Sequence, residues 1–314
     1  MKNVEAQHKI NLSSRRDFLK RSGLGLGGMA LSTLLGGKLL GKALEPTLQN
    51  NGGVLGASHF PAKAKRVIYL FQSGGPSQIE TFDYKPALEK WHGQEIPDSV
   101  RVSQRNSGMV ASQSTFPLVS SIYDFQQYGQ SGAWVSELFP YTAQIVDELC
   151  IVKSVYTEAI NHEPAVMFVQ TGSMISGRPS IGSWLSYGLG TDNENMPNFV
   201  VMTSHGGGGQ PLNSLAWGSG FLPSHHQGVQ FRSGEEPVLF LNNPYGVHKE
   251  DRQRALEQIK KLNEHQFDIW GDPEINSKIT QYEMAFRMQT AVPETVDISQ
   301  EPDHIMDMYG EDVH

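Results

Sequence analysis

The sequence predicts an α/β fold, a mostly parallel sheet with helices on both faces, and three observations carry that prediction. Residues 67–71 (VIYLF) form an almost unbroken apolar run ahead of a Gly-rich turn, the pattern of a strand buried on both faces. Residues 149–152 (LCIV) form a second run, reached through a helical pattern over 136–148 with Ser136 as N-cap. Residues 198–202 (NFVVM) form a third. A strand, a helix and a strand in succession imply a crossover connection and so a parallel sheet.

The chain has 314 residues, 38% of them hydrophobic, which is enough for one large domain with a real core. Its formal net charge is −8, and the first 45 residues hold a basic excess, so the remainder is more acidic still. Such a surface argues against nucleic acid or an anionic membrane as the main partner, and favours a site that takes cations. Cys150 is the only cysteine, which excludes an intrachain disulfide, and its apolar setting predicts a buried strand residue.

In chain order, residues 1–45 read as a twin-arginine export signal. Ser14-Arg15-Arg16-Asp17-Phe18-Leu19-Lys20 precedes a weakly apolar, Gly-rich run over 23–40 that Lys38 interrupts, a poor membrane span. The signal therefore touches the membrane only in transit, and the destination is the periplasm or beyond. Residues 46–64 read as a linker and 65–314 as the α/β domain.

The first run ends at Gln72, and Ser73-Gly74-Gly75-Pro76-Ser77 turns the chain. Gly74 and Gly75 admit positive φ and, with Ser77, let backbone N–H groups approach an anion. Ligands of open α/β sheets bind at such carboxyl ends of strands. Glu80 and Asp83 follow as hard oxygen donors of the kind divalent metals use. A plain strand-to-helix turn with a solvated acidic edge accounts for the same residues.

A short helix is expected over 85–91, then a long polar stretch over 93–132. Asn161-His162-Glu163-Pro164 opens a helix that runs through Val169, which places His162 beside unsatisfied N–H groups and the positive end of the dipole. Arg178 follows in a Gly-Arg-Pro-Ser turn and can pair with an anionic substrate or a ligand carboxylate. The plainer alternative makes Asn161 an N-cap, His162 a surface histidine and Arg178 a loop brace. The third run ends at Thr203-Ser204-His205 before four glycines, and 206–245 reads as an excursion with one short strand at 238–241. Two helices follow, one striped by Ala255, Ile259 and Leu262. The other is striped by Ile275, Ile279, Tyr282 and Phe286 and entered through Asp272 and Pro273. Met284 and Met288 read as packing, and 294–314 as an unpatterned acidic tail.

Five segments together resemble the exported bacterial proteins called domain of unknown function 1501, in the alkaline phosphatase and sulfatase superfamily: GGPSQIETFDYKP (74–86), NHEPAVMFVQTG (161–172), GRPSIGSWLSYGLG (177–190), FLPSHHQG (221–228) and YEMAFRMQ (282–289). The resemblance puts His162 where a sulfatase has its nucleophilic cysteine, with Thr171-Gly172 at the matching distance. It departs at the first strand, where Gln72 and Ser73 stand in place of a metal-binding aspartate. The family's W-D-x-H, G-E-F-G-R and G-R-D-H segments are not in this sequence, so the resemblance implies a fold incomplete at the C-terminal end.

The resemblance implies a metal-dependent hydrolase of sulfate or phosphate esters. Its substrate is an anionic small molecule or a glycan ester, and its ion is zinc, calcium or magnesium. The implied catalytic residues are His162, Arg178 and Asn161; Gly74, Gly75 and Ser77 line the anion; Asp83, Glu80, His162 and His205 are the metal donors. His162 is open to two roles, nucleophile and ligand. The alternative is a non-catalytic periplasmic binding or assembly protein that keeps the sulfatase-like fold.

Overall fold

Helices dominate the chain, and its strands are short and paired two by two. The computed structural model describes residues 53–56, 59–101, 108–204, 213–234 and 236–310. The expected export signal over 1–45 and the candidate ligand His205 lie outside the described residues.

After a 3₁₀ turn at Gln78–Glu80 come α1 (Ala87–Trp91) and α2 (Asp98–Arg101), then strands β1 (Phe125–Tyr128) and β2 (Ala133–Ser136). These two form an antiparallel hairpin with Phe125 opposite Ser136 and Tyr128 opposite Ala133. Its turn places Gly129 and Gly132 at φ of 68° and 62°, and Asp147 accepts hydrogen bonds there from Gln130 N (2.7 Å) and Ser131 N (2.9 Å). Both N–H groups hold the Asp147 carboxyl below its usual range. The hairpin thus replaces part of the long polar stretch expected over 93–132. Ser136 ends β2, so the helix expected over 136–148 shrinks to α3 (Pro140–Gln144) and a 3₁₀ turn at Val146–Glu148, with Pro140 opening α3. Val135, Ala143 and Val146 are buried together, with Phe82, Phe139 and Ile151 packed against them.

Next come α4 (His162–Thr171) and α5 (Ile181–Leu189). Ser180 caps α5 by accepting from Ser183 N. Strand β3 (Val200–Met202) pairs in parallel with β4 (Val229–Phe231), Val200 opposite Val229 and Met202 opposite Phe231. The third predicted strand therefore forms and is parallel. Its partner lies at 229–231, whereas 238–241 makes a turn in which Phe240 takes φ 58°. Leu241 still points inward, where it packs with Phe231, Met288 and Val292. Within the expected linker, Val54 N and Leu55 N donate to Tyr187 O (3.0 Å) and Gly188 O (3.1 Å) at the end of α5.

The two C-terminal helices form as expected. Helix α6 (Lys249–Trp270) ends at Gly271 in the left-handed conformation, and α7 (Pro273–Val296) begins with Pro273 at its first position while Asp272 accepts from Glu274 N. Lys260 Nζ meets Glu283 Oε1 at 2.7 Å between them. Met288 is 3% exposed in the core, and Met284 packs beside it. The tail is more ordered than its composition predicts, since α7 runs to Val296 and α8 spans Asp303–Tyr309.

The extended sheet is where expectation and structure part. Residues 67–71 are extended, and Tyr69 and Phe71 stack with ring centroids 6.1 Å apart on one side of the chain, as alternation requires. No strand pairs with them among the described residues, and Val67, Ile68 and Leu70 are exposed. Residues 149–152 are likewise unpaired, Val152 is exposed, and so is Cys150, against the buried strand position expected for it. The reason is physical: an apolar run has strand character only where neighbouring strands take its N–H and C=O groups. Among the described residues the two ladders hold only β1 with β2 and β3 with β4.

Candidate functional site

The start of α4 is the part of the predicted site whose local geometry matches its sequence. Asn161 is extended (φ −121°, ψ 153°) and turns the chain into the helix, yet its side chain makes no capping hydrogen bond. The first-turn N–H groups are thus left unspent by their own cap. His162 is the first helical residue; it is exposed, with no side-chain hydrogen bond among the described residues. Thr171 ends the helix, its hydroxyl donating to Met167 O (2.7 Å), and Gly172 closes it at φ 72°. A recess of about 230 Å³ opens alongside, lined by Glu163, Pro164, Met167, Met174, Ser176, Asn213 and Leu215. Asn213 caps the 3₁₀ turn Ser214–Trp217, accepting from Leu215 N at 3.0 Å.

Arg178 is held by its main chain. Ser180 N donates to Gly218 O (3.1 Å), and the Ser183 hydroxyl donates to the same carbonyl (3.0 Å). Gly220, at φ 57°, lies so close that a Cβ there would stand 2.4 Å from Pro179 N and 2.5 Å from Arg178 C. The base of Arg178 is therefore fixed, while its side chain is exposed and in no ion pair among the described residues.

The turn after the first apolar run has the expected glycine conformations, Gly74 at φ 95° and Gly75 at 71°, with open space beside both. Ser77 precedes the 3₁₀ turn, and its carbonyl accepts from the Thr81 hydroxyl. Both carboxylates are committed to protein partners. Glu80 accepts from the Ser121 hydroxyl at 2.5 Å, and Asp83 pairs with Lys85 at 3.0 Å. Tyr69 links this stretch to α4 through a hydrogen bond with Gln170; burial raises its phenol above the usual value, and that bond acts the other way. Among the described residues no three His, Cys, Asp or Glu side chains gather as a metal-holding group. The donors named from the sequence thus do not fit an ion as they stand, and His205 is outside the description.

A second polar constellation went unread in the sequence. His226, 8% exposed, shares a hydrogen bond through Nδ1 with the Ser186 hydroxyl on α5 (2.8 Å), and Asn198 Nδ2 donates to that same hydroxyl (3.1 Å). A hydroxyl carries one proton and two lone pairs, so the Ser186 oxygen accepts from the Asn198 amide and still shares a hydrogen bond with His226 Nδ1. The His225 ring lies 3.9 Å away and its Nδ1 is 3.2 Å from Ser277 on α7, while Ser224 hydrogen-bonds Glu274. Burial, and then the neighbouring His225, push His226 down to about 4; burial lowers His225 too, against the pull of Glu274. The Ser-His-His run was visible, but Ser186 lies 40 residues upstream and no spacing rule connects them.

A family model described as "Protein of unknown function (DUF1501)" matches residues 64–314. The chain belongs to the DUF1501 family. Comparison with curated proteins and with solved structures finds no match. The DUF1501 match spans every structural element described above, from the extended run through α8.

Proposed function

We propose that this DUF1501 chain is an exported hydrolase of sulfate or phosphate esters, dependent on a divalent ion, zinc, calcium or magnesium, with an alkaline phosphatase and sulfatase-like fold. The observation that carries the reading is the start of α4, where N–H groups that Asn161 does not cap, the exposed ring of His162 and an adjoining recess occur together. Helix N-termini of this kind bind phosphate and sulfate, and preorganised N–H groups stabilise the charge that grows on an ester oxygen during hydrolysis. Asn161 positions that end. Arg178 supplies a guanidinium suited to two oxygens of the anion. Gly74, Gly75 and Ser77 offer a second set of open N–H groups.

The donors Asp83, Glu80, His162 and His205 belong to the same proposal, although the described ones do not converge. The start of α4 and Arg178 capture the anion in this reading. The exposed run over 67–70 supports a parallel sheet in which it is an inner strand. Export to the periplasm by the twin-arginine route rests on Arg15-Arg16 and the weakly apolar run behind them. A second reading, a non-catalytic binding or assembly protein, is favoured by the commitment of Glu80 to Ser121 and of Asp83 to Lys85.

The test is release of nitrophenol from 4-nitrophenyl sulfate and phosphate with each ion added, by the chain and by its His162→Ala and Arg178→Ala variants. The hydrolase reading expects metal-dependent turnover that falls about 100-fold or more in either variant. Anion binding with no turnover under any ion leaves the binding-protein reading in its place.

A further inference from the structure

Helix α6 packs on α7 along one edge and leaves an apolar stripe bare. None of its residues is buried. Leu256 and Lys260 form the α7 edge, lining a groove with Ile279, Tyr282 and Phe286, and Lys260 Nζ meets Glu283 there at 2.7 Å. Ala255, Ile259, Leu262 and Ile269 are instead exposed, Leu262 at 56% and Ile269 at 61%. At 3.6 residues per turn their stripe is centred roughly 150° around the helix from the α7 edge. With Gln266 it reads 255, 259, 262, 266, 269, alternating steps of four and three, the seam into which a second helix of the same spacing packs knobs into holes. Together with Trp270, 69% exposed, the apolar members bare a patch of roughly 500 Å², the size that marks an interface on a soluble protein.

The helix itself supplies the complementary surface. Arg252 and Trp270 stand about five turns apart, so they lie on one line along the helix, at the edge of the stripe. Arg252 is in no ion pair among the described residues. Laid antiparallel on a second copy, with the two-fold axis between Ile259 and Leu262, Ile259 of each copy meets Leu262 of the other and Ala255 meets Gln266. The same register brings each Arg252 guanidinium over the other copy's Trp270 ring, a cation on an aromatic face. Parallel pairing would set Arg252 against Arg252. Two such patches together remove about 1,000 Å² from water, the lower bound for a specific interface, which fits a reversible dimer. A lipid surface is the poorer occupant, because α6 carries as many acidic as basic side chains and helices that lie in a membrane surface are rich in Lys and Arg.

We infer that the stripe of α6 is a surface on which a second copy of this chain docks antiparallel, with Arg252 of each copy on Trp270 of the other. None of these residues belongs to the α4 site, so the inference stands apart from the ester reading.

The experiment is sedimentation equilibrium of the full chain from about 1 to about 200 μM. The parent is expected to pass from monomer to dimer with a dissociation constant in the micromolar range. Leu262→Glu should weaken the dimer at least about tenfold, while Glu264→Lys, off the stripe, leaves it unchanged. Circular dichroism checks the fold of each variant, and Ile259→Gln, expected to act as Leu262→Glu does, serves if the glutamate misfolds. Arg252→Ala and Trp270→Ala should each weaken the dimer severalfold, and the double variant by less than the product of the two, since each removes the same contact. A parent that stays monomeric, a dimer indifferent to Leu262→Glu and Ile259→Gln, or Arg252 and Trp270 losses that simply multiply overturns the inference. So does a monomer that sediments with phosphatidylglycerol vesicles and loses that binding in Leu262→Glu.

Discussion

Acidification should loosen this fold through His226, and the structure gives the size of the effect. The ring is neutral, 8% exposed, and hydrogen-bonds the Ser186 hydroxyl through Nδ1. In the unfolded chain the ring takes up a proton near its ordinary value of 6.5, whereas in the folded chain it resists until about 4. The unfolded state therefore binds more protons throughout that window, and stability falls as pH drops from 6.5 toward 4. Above 6.5 both states are neutral and the contribution is fully present. At about 1.4 kcal/mol per unit, the loss on going from pH 7.5 to 4.5 is at most about 2.5 kcal/mol from this residue. The assay is urea unfolding of the full chain at those two pH values, set beside the His226→Asn variant, whose amide can still hydrogen-bond Ser186. The variant should start less stable at pH 7.5 and lose about 2.5 kcal/mol less on acidification than the parent. Equal acid losses in the two proteins would refute the claim that a neutral, buried His226 ties α5 to the turn before β4.

Two further outcomes follow from named positions. Gly220→Ala should cost about 2 kcal/mol or more, because the new methyl meets Pro179 N at 2.4 Å and the φ of 57° disfavours a side chain; a urea midpoint within error of the parent would contradict the crossing of 177–180 and 218–221. Replacing Arg15 and Arg16 by lysine should leave precursor in the cytoplasm, which fractionation and immunoblotting detect, and undiminished export would remove the twin-arginine assignment.

What the sequence made legible divides along local and non-local lines. Helix α7 was readable because its stripe, its Asp272 cap and Pro273 all lie within one segment and agree. The start of α4 was readable for the same reason, with Asn161 entering, whereas its end falls at Thr171, two residues past the expected Val169, with Gly172 closing it. Residues 67–71 read as a buried strand because composition reports what a segment favours inside a sheet, and nothing in five residues says whether neighbours are present. The β1–β2 hairpin was missed although Gly129 and Gly132 bracket a short turn between two runs with aromatic residues, a signal hidden within a polar stretch. In the site, the glycine conformations at Gly74 and Gly75 were foreseen. The partners of Glu80 and Asp83 were not, since a carboxylate in a sequence looks the same whether it faces a metal, a serine or a lysine.

The claim at the centre of this account is that the start of α4, with His162 and Arg178, receives an oxyanion. The most direct measurement follows the imidazole proton resonances of His162, assigned by comparison with His162→Ala, as inorganic sulfate and phosphate are added. The account predicts a saturable shift of the His162 resonances that weakens in Arg178→Ala. Resonances of His162 that stay in place while sulfate binds elsewhere, or move identically without Arg178, would contradict it.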